Sequence, residues 1–504
     1  MLLPSIALHF VGQTKAQIIL TCLGIIISLI LCAVVYNIIY NVYFHPLAKY
    51  PGPKLAAATR LWYCFYCLRG ELPFVLAEEH RRYGEVIRIA PDELSYTNPD
   101  GWNDIYGQRI GKVELTKDPL FYGNLVSGGG SIISADRSRH GLLRKKMSHG
   151  FSERGMRAQE EIIRSYSDLF IKRLNENSEN GTKPLDIVMW FNFFTFDVMG
   201  DLVFGESFNC LKSSEYHPWV KLIFNSVKMV AFLRCSRYWS FLSRLAVKFI
   251  PKELKQGLVE QKKMAKAKGD YRKTLETERL DLISGFLQPD SGVTDLEYQS
   301  SVQTLIIAGS ETTATLMSGA TYYLMTNPDK MAKAVAEVRS SFSSADEINL
   351  VSINKLSYLL ACLNEALRIY PPVADAFPRN TGLNSEVICG EIVPPNTVVR
   401  MTQWATFHSP KNFEKPDDFI PERWLEESEF TQDKKAALQP FHVGPRNCLG
   451  RNLAYAEMRL LMALLLWNFD LEIMPESKDW KMQKVYLLWE KPELLLKAIP
   501  RTNA

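Results

Sequence analysis

The chain has 504 residues, 47% of them hydrophobic, and a formal net charge of +4. A length above about 300 residues makes two domains the default, yet the composition offers no clean cut, repeat or low-complexity linker. The mild charge argues against a general nucleic-acid binder, and nine cysteines at scattered spacings are not a disulfide framework. Cys64-x-x-Cys67 has half the spacing of a zinc site but no second pair or histidine near it, so packed thiols are the expectation.

Taken in order, residues 1–15 form a short leading segment. From Ala16 to Phe44 there is no Asp, Glu, Lys or Arg, and Ile18 to Ile39 is almost wholly apolar. About 22 helical residues reach roughly 33 Å, enough to cross a bilayer core. The run is longer than a signal-peptide core, which predicts an uncleaved transmembrane anchor over 16–44. One basic residue, Lys15, precedes it, while Lys49, Lys54 and Arg60 follow closely, so the bulk of the chain is expected on the cytosolic side. Unpaired cysteines agree with that placement. Pro46, Pro51, Gly52 and Pro53 make a stiff hinge over 45–54, and one catalytic domain is expected over 55–504.

Within that domain, Glu85–Ala90 and Glu93–Thr97 read as short strands on either side of Pro91-Asp92. Ser127-Gly128-Gly129-Gly130 lacks phosphate-loop spacing and predicts a loop near a substrate entrance. The segment from Arg137 to Phe151 is basic, and on a helix His140 and Arg144 share a face. Between Trp219 and Pro251 the aromatic content suits either core packing or contact with a membrane surface. Lys252 to Arg279 reads as exposed helix and loop.

Thr294-Asp295-Leu296-Glu297 is a capping box that opens a helix of roughly 33 residues and 50 Å, stopped by Pro328. Its middle, Ala308-Gly309-Ser310-Glu311-Thr312-Thr313, is poor in helix-stabilising residues. Alone it reads as a flexible helix with a polar patch; small Ala308 and Gly309 also leave room for a flat cofactor. Leu356, Leu359, Leu360, Leu363 and Leu367 keep helical spacing up to Pro371-Pro372, with Glu365 and Arg368 on one face. Near the C-terminus, Phe441-His442-Val443-Gly444-Pro445-Arg446-Asn447-Cys448-Leu449-Gly450 forms a loop with a single thiol. Gly444 and Gly450 are expected to take conformations that a Cβ penalises, and Arg446 to favour thiolate over thiol. The helix that follows would add its N-terminal dipole.

Phe-x-x-Gly-x-Arg-x-Cys-x-Gly resembles the haem-binding signature of the cytochrome P450 monooxygenases, and three further stretches resemble that family's motifs in the expected order. The resemblance implies a mainly α fold with a small β-rich part and heme b held by Cys448 as axial iron ligand. It implies that Phe441, Gly444 and Gly450 shape the loop, that Arg144, Arg379 and Arg446 meet the haem propionates, and that His140 stands where the family has Trp. Glu311 and Thr312 match the acid and alcohol that deliver protons. Glu365 and Arg368, with Arg423 in Pro421-Glu422-Arg423-Trp424, match a buried network that braces the loop. Ala308, Val373, Ala374, Phe377 and Leu488 fall where a substrate pocket is lined.

The resemblance further implies electrons from NADPH through a cytochrome P450 reductase, with cytochrome b5 as a second possible donor, docking near Lys145 and Lys146. It implies dioxygen and a lipophilic small molecule as substrates, residence in the endoplasmic reticulum membrane, and no nucleic-acid partner. Details of the hinge and of Met147–Ser152 resemble filamentous-fungal members that tailor terpenoids, polyketides or alkaloids. A haem-thiolate isomerase or dehydratase and a membrane-bound haem sensor are the alternatives. Neither needs Glu311 and Thr312.

Overall fold

The computed structural model describes residues 15–109, 111, 113–123, 130–275 and 281–501. Most of Ser127–Gly130 therefore lies outside the described residues.

The apolar run forms a helix over Lys15–Ile39, continued by a wider turn over Tyr40–Phe44. None of its residues is buried, and its apolar side chains point outward on every side. A helix that is apolar all round and has no buried residue is a candidate membrane span. The second strongly apolar helix, Ile187–Phe204, owes its composition to the opposite circumstance, because nearly all of it is buried in the core.

Most of the chain is helical, and one helix crosses the interior. It runs from Asp295 to Thr326. Its start is fixed by reciprocal bonds in which Thr294 Oγ1 accepts from the Glu297 N–H and the Glu297 carboxylate accepts from the Thr294 N–H. Arg139 adds a bidentate pair to that carboxylate at 2.6 and 2.7 Å, and the pair, with the cap, holds it down to a pKa of about 2. The helix packs against Ile187–Phe204, Ser357–Ile369 and Arg451–Asn468. Gly309 sits at the first of these contacts, where a Cβ would come within 2.5 Å of Met199 Sδ. Close helix approach is therefore a second reason for that glycine, alongside room for a ligand.

The β part is small. Its main sheet has the strand order Val86–Ala90, Glu93–Tyr96, Val398–Met401, Arg379–Asn380, Thr116–Lys117. Only the pairing of Glu93–Tyr96 with Val398–Met401 is parallel. A buried chain of charges pins this sheet to its surroundings: Arg60 pairs with Glu93, Glu93 with Arg400, Arg400 with Asp375, and Asp375 with Arg234. Cys64 and Cys67 pack in a small apolar cluster with Cys235, next to Arg234. Among the described residues no group of His, Cys, Asp and Glu is arranged to hold a metal. The Trp219–Pro251 segment divides between the two expected roles, with Trp219 buried and Phe241 70% exposed.

Candidate active site

A cavity of about 380 Å³ lies between the long helix and the cysteine loop. One wall is Ala308, Gly309, Thr312 and Thr313; the facing wall is Phe441 and Cys448 to Gly450. The loop is rigid for reasons visible residue by residue. The Cys448 N–H donates to the Phe441 carbonyl at 2.8 Å, which closes the loop on itself. Gly444 has φ +75°, and a Cβ there would stand 2.0 Å from the Tyr106 carbonyl oxygen. His442 also has positive φ, held by edge-on contacts with Trp102 and Tyr106. Burial pushes its pKa down to about 3, so the ring is neutral.

Gly450 departs from the expectation. Its φ is −81°, which any residue adopts, and a Cβ there would meet only Phe151 and Cys448 Sγ, at 3.8 and 3.9 Å. The missing side chain leaves space beside the sulfur and relieves no backbone strain.

Arg446 departs as well. Its guanidinium is bonded to Glu114 at 2.7 and 2.9 Å and to the Ala135 carbonyl, so its charge is already engaged. The cations that act on the thiol are Arg144 and Arg451, helped by the Gly450 backbone N–H at the start of the following helix. The Cys448 side chain is open to the cavity but shielded from bulk water. Burial accordingly pushes its pKa up, and these three groups oppose that shift.

The rim of the cavity is basic. Arg144 donates to the Asn447 backbone and side-chain oxygens and so ties the basic helix Arg137–Met147 to the loop. Arg379 leaves its strand beside Tyr122 and donates to its hydroxyl. His140 lines the same rim, and burial, with Arg446 and Lys117, lowers its pKa to about 4. Lys117 lines it too; burial, with Arg446 and Arg379, lowers its pKa to about 7. Lys117, Tyr122 and Glu114 carry no signal in the sequence, since only the fold brings them to this edge.

Of the expected pocket residues, Ala308, Val373, Phe377 and Leu488 line the cavity. Ala374 does not: it is fully buried in the core and its carbonyl accepts the Trp404 N–H. An irregular segment has no period from which to read which side chain turns inward.

Glu365 accepts from Arg368 at 2.7 and 3.0 Å, Arg423 at 3.2 Å, the Trp424 indole N–H at 2.8 Å and the Ile420 N–H at 2.9 Å. Arg368 in turn donates to the carbonyls of Phe407, Pro416 and Asp418, and Arg423 pairs with Asp433. The network thus fastens the segment leading to the cysteine loop, and its bonds stop short of residues 441–450.

Glu311 and Thr312 are adjacent but face different spaces, as neighbours about 100° apart on a helix do. Thr312 lines the thiol cavity and donates to the Ala308 carbonyl at 2.6 Å. Glu311 lines a second, polar cavity of about 390 Å³, where it is paired with Lys491 and accepts from the Thr315 hydroxyl at 3.4 Å. Trp489 also lines this polar cavity and donates to the Pro371 carbonyl.

The thiol cavity fits haem. It offers one thiol beside a glycine, Gly450, a small-residue wall opposite, and cationic side chains at one edge for two carboxylates.

Comparison with known proteins gives the same answer. A family model described as cytochrome P450 matches residues 53–498. The cytochrome P450 monooxygenase astA of Talaromyces wortmannii is 46% identical over 485 residues, 95% of this chain and 98% of its own. The cytochrome P450 monooxygenase tpeC of Talaromyces stipitatus is 44% identical over 480 residues, 94% of each chain. An averantin hydroxylase of Dothistroma septosporum is 42% identical over 473 residues, 92% of this chain and 89% of its own.

Proposed function

The chain belongs to the cytochrome P450 family, and from that premise we propose that it hydroxylates or epoxidises a lipophilic small molecule in fungal secondary metabolism. One observation carries the reading: a lone thiol, Cys448, faces Thr312 across a largely apolar cavity with a cationic edge. Terpenoids, polyketides and alkaloids are the substrate classes in view. The relatives are fungal monooxygenases, and one of them is named for hydroxylating averantin.

Haem, when bound, would activate dioxygen at an iron held by thiolate, whose electron donation favours O–O cleavage. Cys448 would supply that ligand from a loop whose shape Gly444 and the Phe441 carbonyl fix in advance. Arg144, Arg379, Arg446 and His140 would hold the propionates, joined by Lys117 and Tyr122. Val373, Phe377, Leu487 and Leu488 would orient an apolar substrate and exclude water from it. The Thr312 hydroxyl would pass a proton on the distal side, releasing its bond to the Ala308 carbonyl to do so, with Glu311 as the acid behind it.

Electrons would come from NADPH through a cytochrome P450 reductase, with cytochrome b5 as a second donor. The basic helix is tied to the cysteine loop through Arg144 and presents the next residue, Lys145, to solvent, a charge suited to an acidic partner. The N-terminal helix suggests a membrane anchor, and we place the protein in the endoplasmic reticulum with its catalytic domain in the cytosol.

The test is Cys448→Ala. The wild-type protein in microsomes should give the red-shifted Soret band of a thiolate-ligated, reduced carbon monoxide complex, and the variant should lack it. A normal band in the variant would overturn the assignment. Metabolite profiling of wild-type microsomes with reductase, NADPH and lipophilic candidates would identify the substrate.

A further inference from the structure

Cys64 and Cys67, which have half the spacing of a zinc site, play no part in the reading above. They stand one turn apart on the helix Leu61–Arg69, which packs against the helix Pro218–Ser236. The second helix brings Cys235 against both, and the Cys235 thiol is hydrogen-bonded to Cys64 and to Cys67. All three side chains are buried, between 1% and 4% exposed, and their surroundings are mostly apolar. Arg234 is the exception. Its guanidinium donates to Cys67 Sγ at 2.7 Å and to Asp375 Oδ2 at 3.2 Å, and it lies over the Phe121 ring. Asp375 stands between Val373 and Phe377, two residues that line the cavity in front of Cys448. One buried cation therefore joins the thiol cluster, the end of the helix Pro218–Ser236 and the cavity wall.

We propose that Cys67 and Cys235 are an oxidisable dithiol whose oxidant is hydrogen peroxide, and that the disulfide between them clamps the helix Leu61–Arg69 to the helix Pro218–Ser236. The clamp does not depend on which substrate the enzyme takes or on how protons reach dioxygen. Cys67 is the sulfur that meets peroxide, because Arg234 donates to it directly and favours its thiolate. Its hydrogen bond with Cys235, and burial, push its pKa well up against that cation. The thiolate is thus a minor form, and oxidation requires sustained exposure. Peroxide is small and uncharged, and it enters apolar packing more readily than glutathione does. The Cys67 thiolate attacks one peroxide oxygen: an S–O bond forms, the O–O bond breaks, and the departing hydroxide takes up the proton that the thiol released, giving water. Sulfur is oxidised to a sulfenic acid and peroxide is reduced. The Cys235 sulfur then attacks the Cys67 sulfur, the S–O bond breaks, and the hydroxyl leaves as a second water with the Cys235 proton. Two thiols and one peroxide become one disulfide and two waters. Cys64, the other thiol bonded to Cys235, can take over the bridge by exchange, and an added dithiol reverses it. The bridge fixes the end of the helix that carries Arg234. Through Asp375 it restrains the cavity wall at Val373 and Phe377, so turnover falls as peroxide accumulates.

The test uses the full-length, haem-loaded protein, treated with hydrogen peroxide at a level that leaves the Soret band of the reduced carbon monoxide complex intact. The treated protein is blocked with N-ethylmaleimide and digested without reductant. Mass spectrometry should find Cys235 joined to Cys67 or, after exchange, to Cys64, and no such peptide in Cys235→Ala. Cys67→Ser keeps an acceptor for Arg234, so it should fold normally while cross-linking several-fold more slowly. With reductase and NADPH and no added substrate, NADPH oxidation by the treated wild type should fall several-fold and recover with dithiothreitol. Cys235→Ala should start at the wild-type rate and keep it through the same treatment. Recovery of all three cysteines as free thiols, or a bridge between Cys64 and Cys67 alone, overturns the proposal. An unchanged NADPH rate once the cross-link has formed overturns it as well.

Discussion

Glu365 and Glu311 are carboxylates withdrawn from solvent on two helices that pack together, and they are satisfied to very different degrees. Glu365 accepts from two guanidinium groups, an indole and a backbone N–H, and lines neither of the two cavities described above. Glu311 has one lysine, one long bond from Thr315, an orphaned oxygen and a polar cavity beside it. A carboxylate whose lone pairs are all used holds chain segments in place and cannot exchange a proton without breaking several bonds. One with an unused oxygen has fewer bonds to break. Degree of satisfaction, more than burial, separates an acid suited to bracing from one suited to proton transfer.

Glu365→Ala should break the comparison at its strongest point. It would leave Arg368 and Arg423 buried without their shared carboxylate, at a cost of about 3–5 kcal/mol. Urea unfolding should move sharply to lower denaturant and the haem-to-protein ratio should collapse. Full haem occupancy with an unchanged midpoint would mean that the network is not a brace. Glu311→Gln, by contrast, removes one ion pair but keeps an acceptor for Lys491, which also holds the Thr315 hydroxyl, and should cost less, about 1–3 kcal/mol.

The two loop glycines extend the comparison. Gly444→Ala puts a Cβ against the Tyr106 carbonyl at positive φ and should destabilise the apoprotein by more than about 2 kcal/mol. Gly450→Ala meets no protein atom closely, so the apoprotein midpoint should stay within about 0.5 kcal/mol while haem retention falls. Equal effects on the apoprotein would show that Gly450 has a backbone role after all. Thr312→Ala loses one local side-chain bond, worth under about 1 kcal/mol, and should keep haem while diverting reducing equivalents to peroxide.

Features set by local chemistry were legible in the sequence. The Thr294–Glu297 capping box, the stop before Pro328 and the uncharged run after Lys15 depend on residues a few positions apart, and each lies where spacing predicts. The cysteine loop was legible because a turn that presents one thiol tolerates few alternatives. Long-range pairings were not: Lys491 meets Glu311 across 180 positions, Arg139 meets Glu297 across 158, and Glu114 takes the charge of Arg446 across 332. Nothing local encodes such partners. The inward turn of Ala374 was not legible for a related reason: its irregular segment between a helix and a strand has no periodicity to read.

Stability should also depend on pH. His408 lies beside the bracing network, stacked on Trp404, and burial, reinforced by the charge of Arg368, lowers its pKa to about 3. In the unfolded chain an ordinary histidine titrates near 6.5. Between those values the unfolded state binds a proton that the folded state refuses, so stability rises with pH across the window. The contribution is complete above pH 6.5 and is lost progressively as pH falls toward 3, at about 1 kcal/mol per pH unit. His408→Gln should remove that slope from the unfolding free energy measured at pH 7 and pH 5. An unaltered slope would mean that His408 accepts a proton in place, and that the region around Arg368 is wetter than its hydrogen bonds imply.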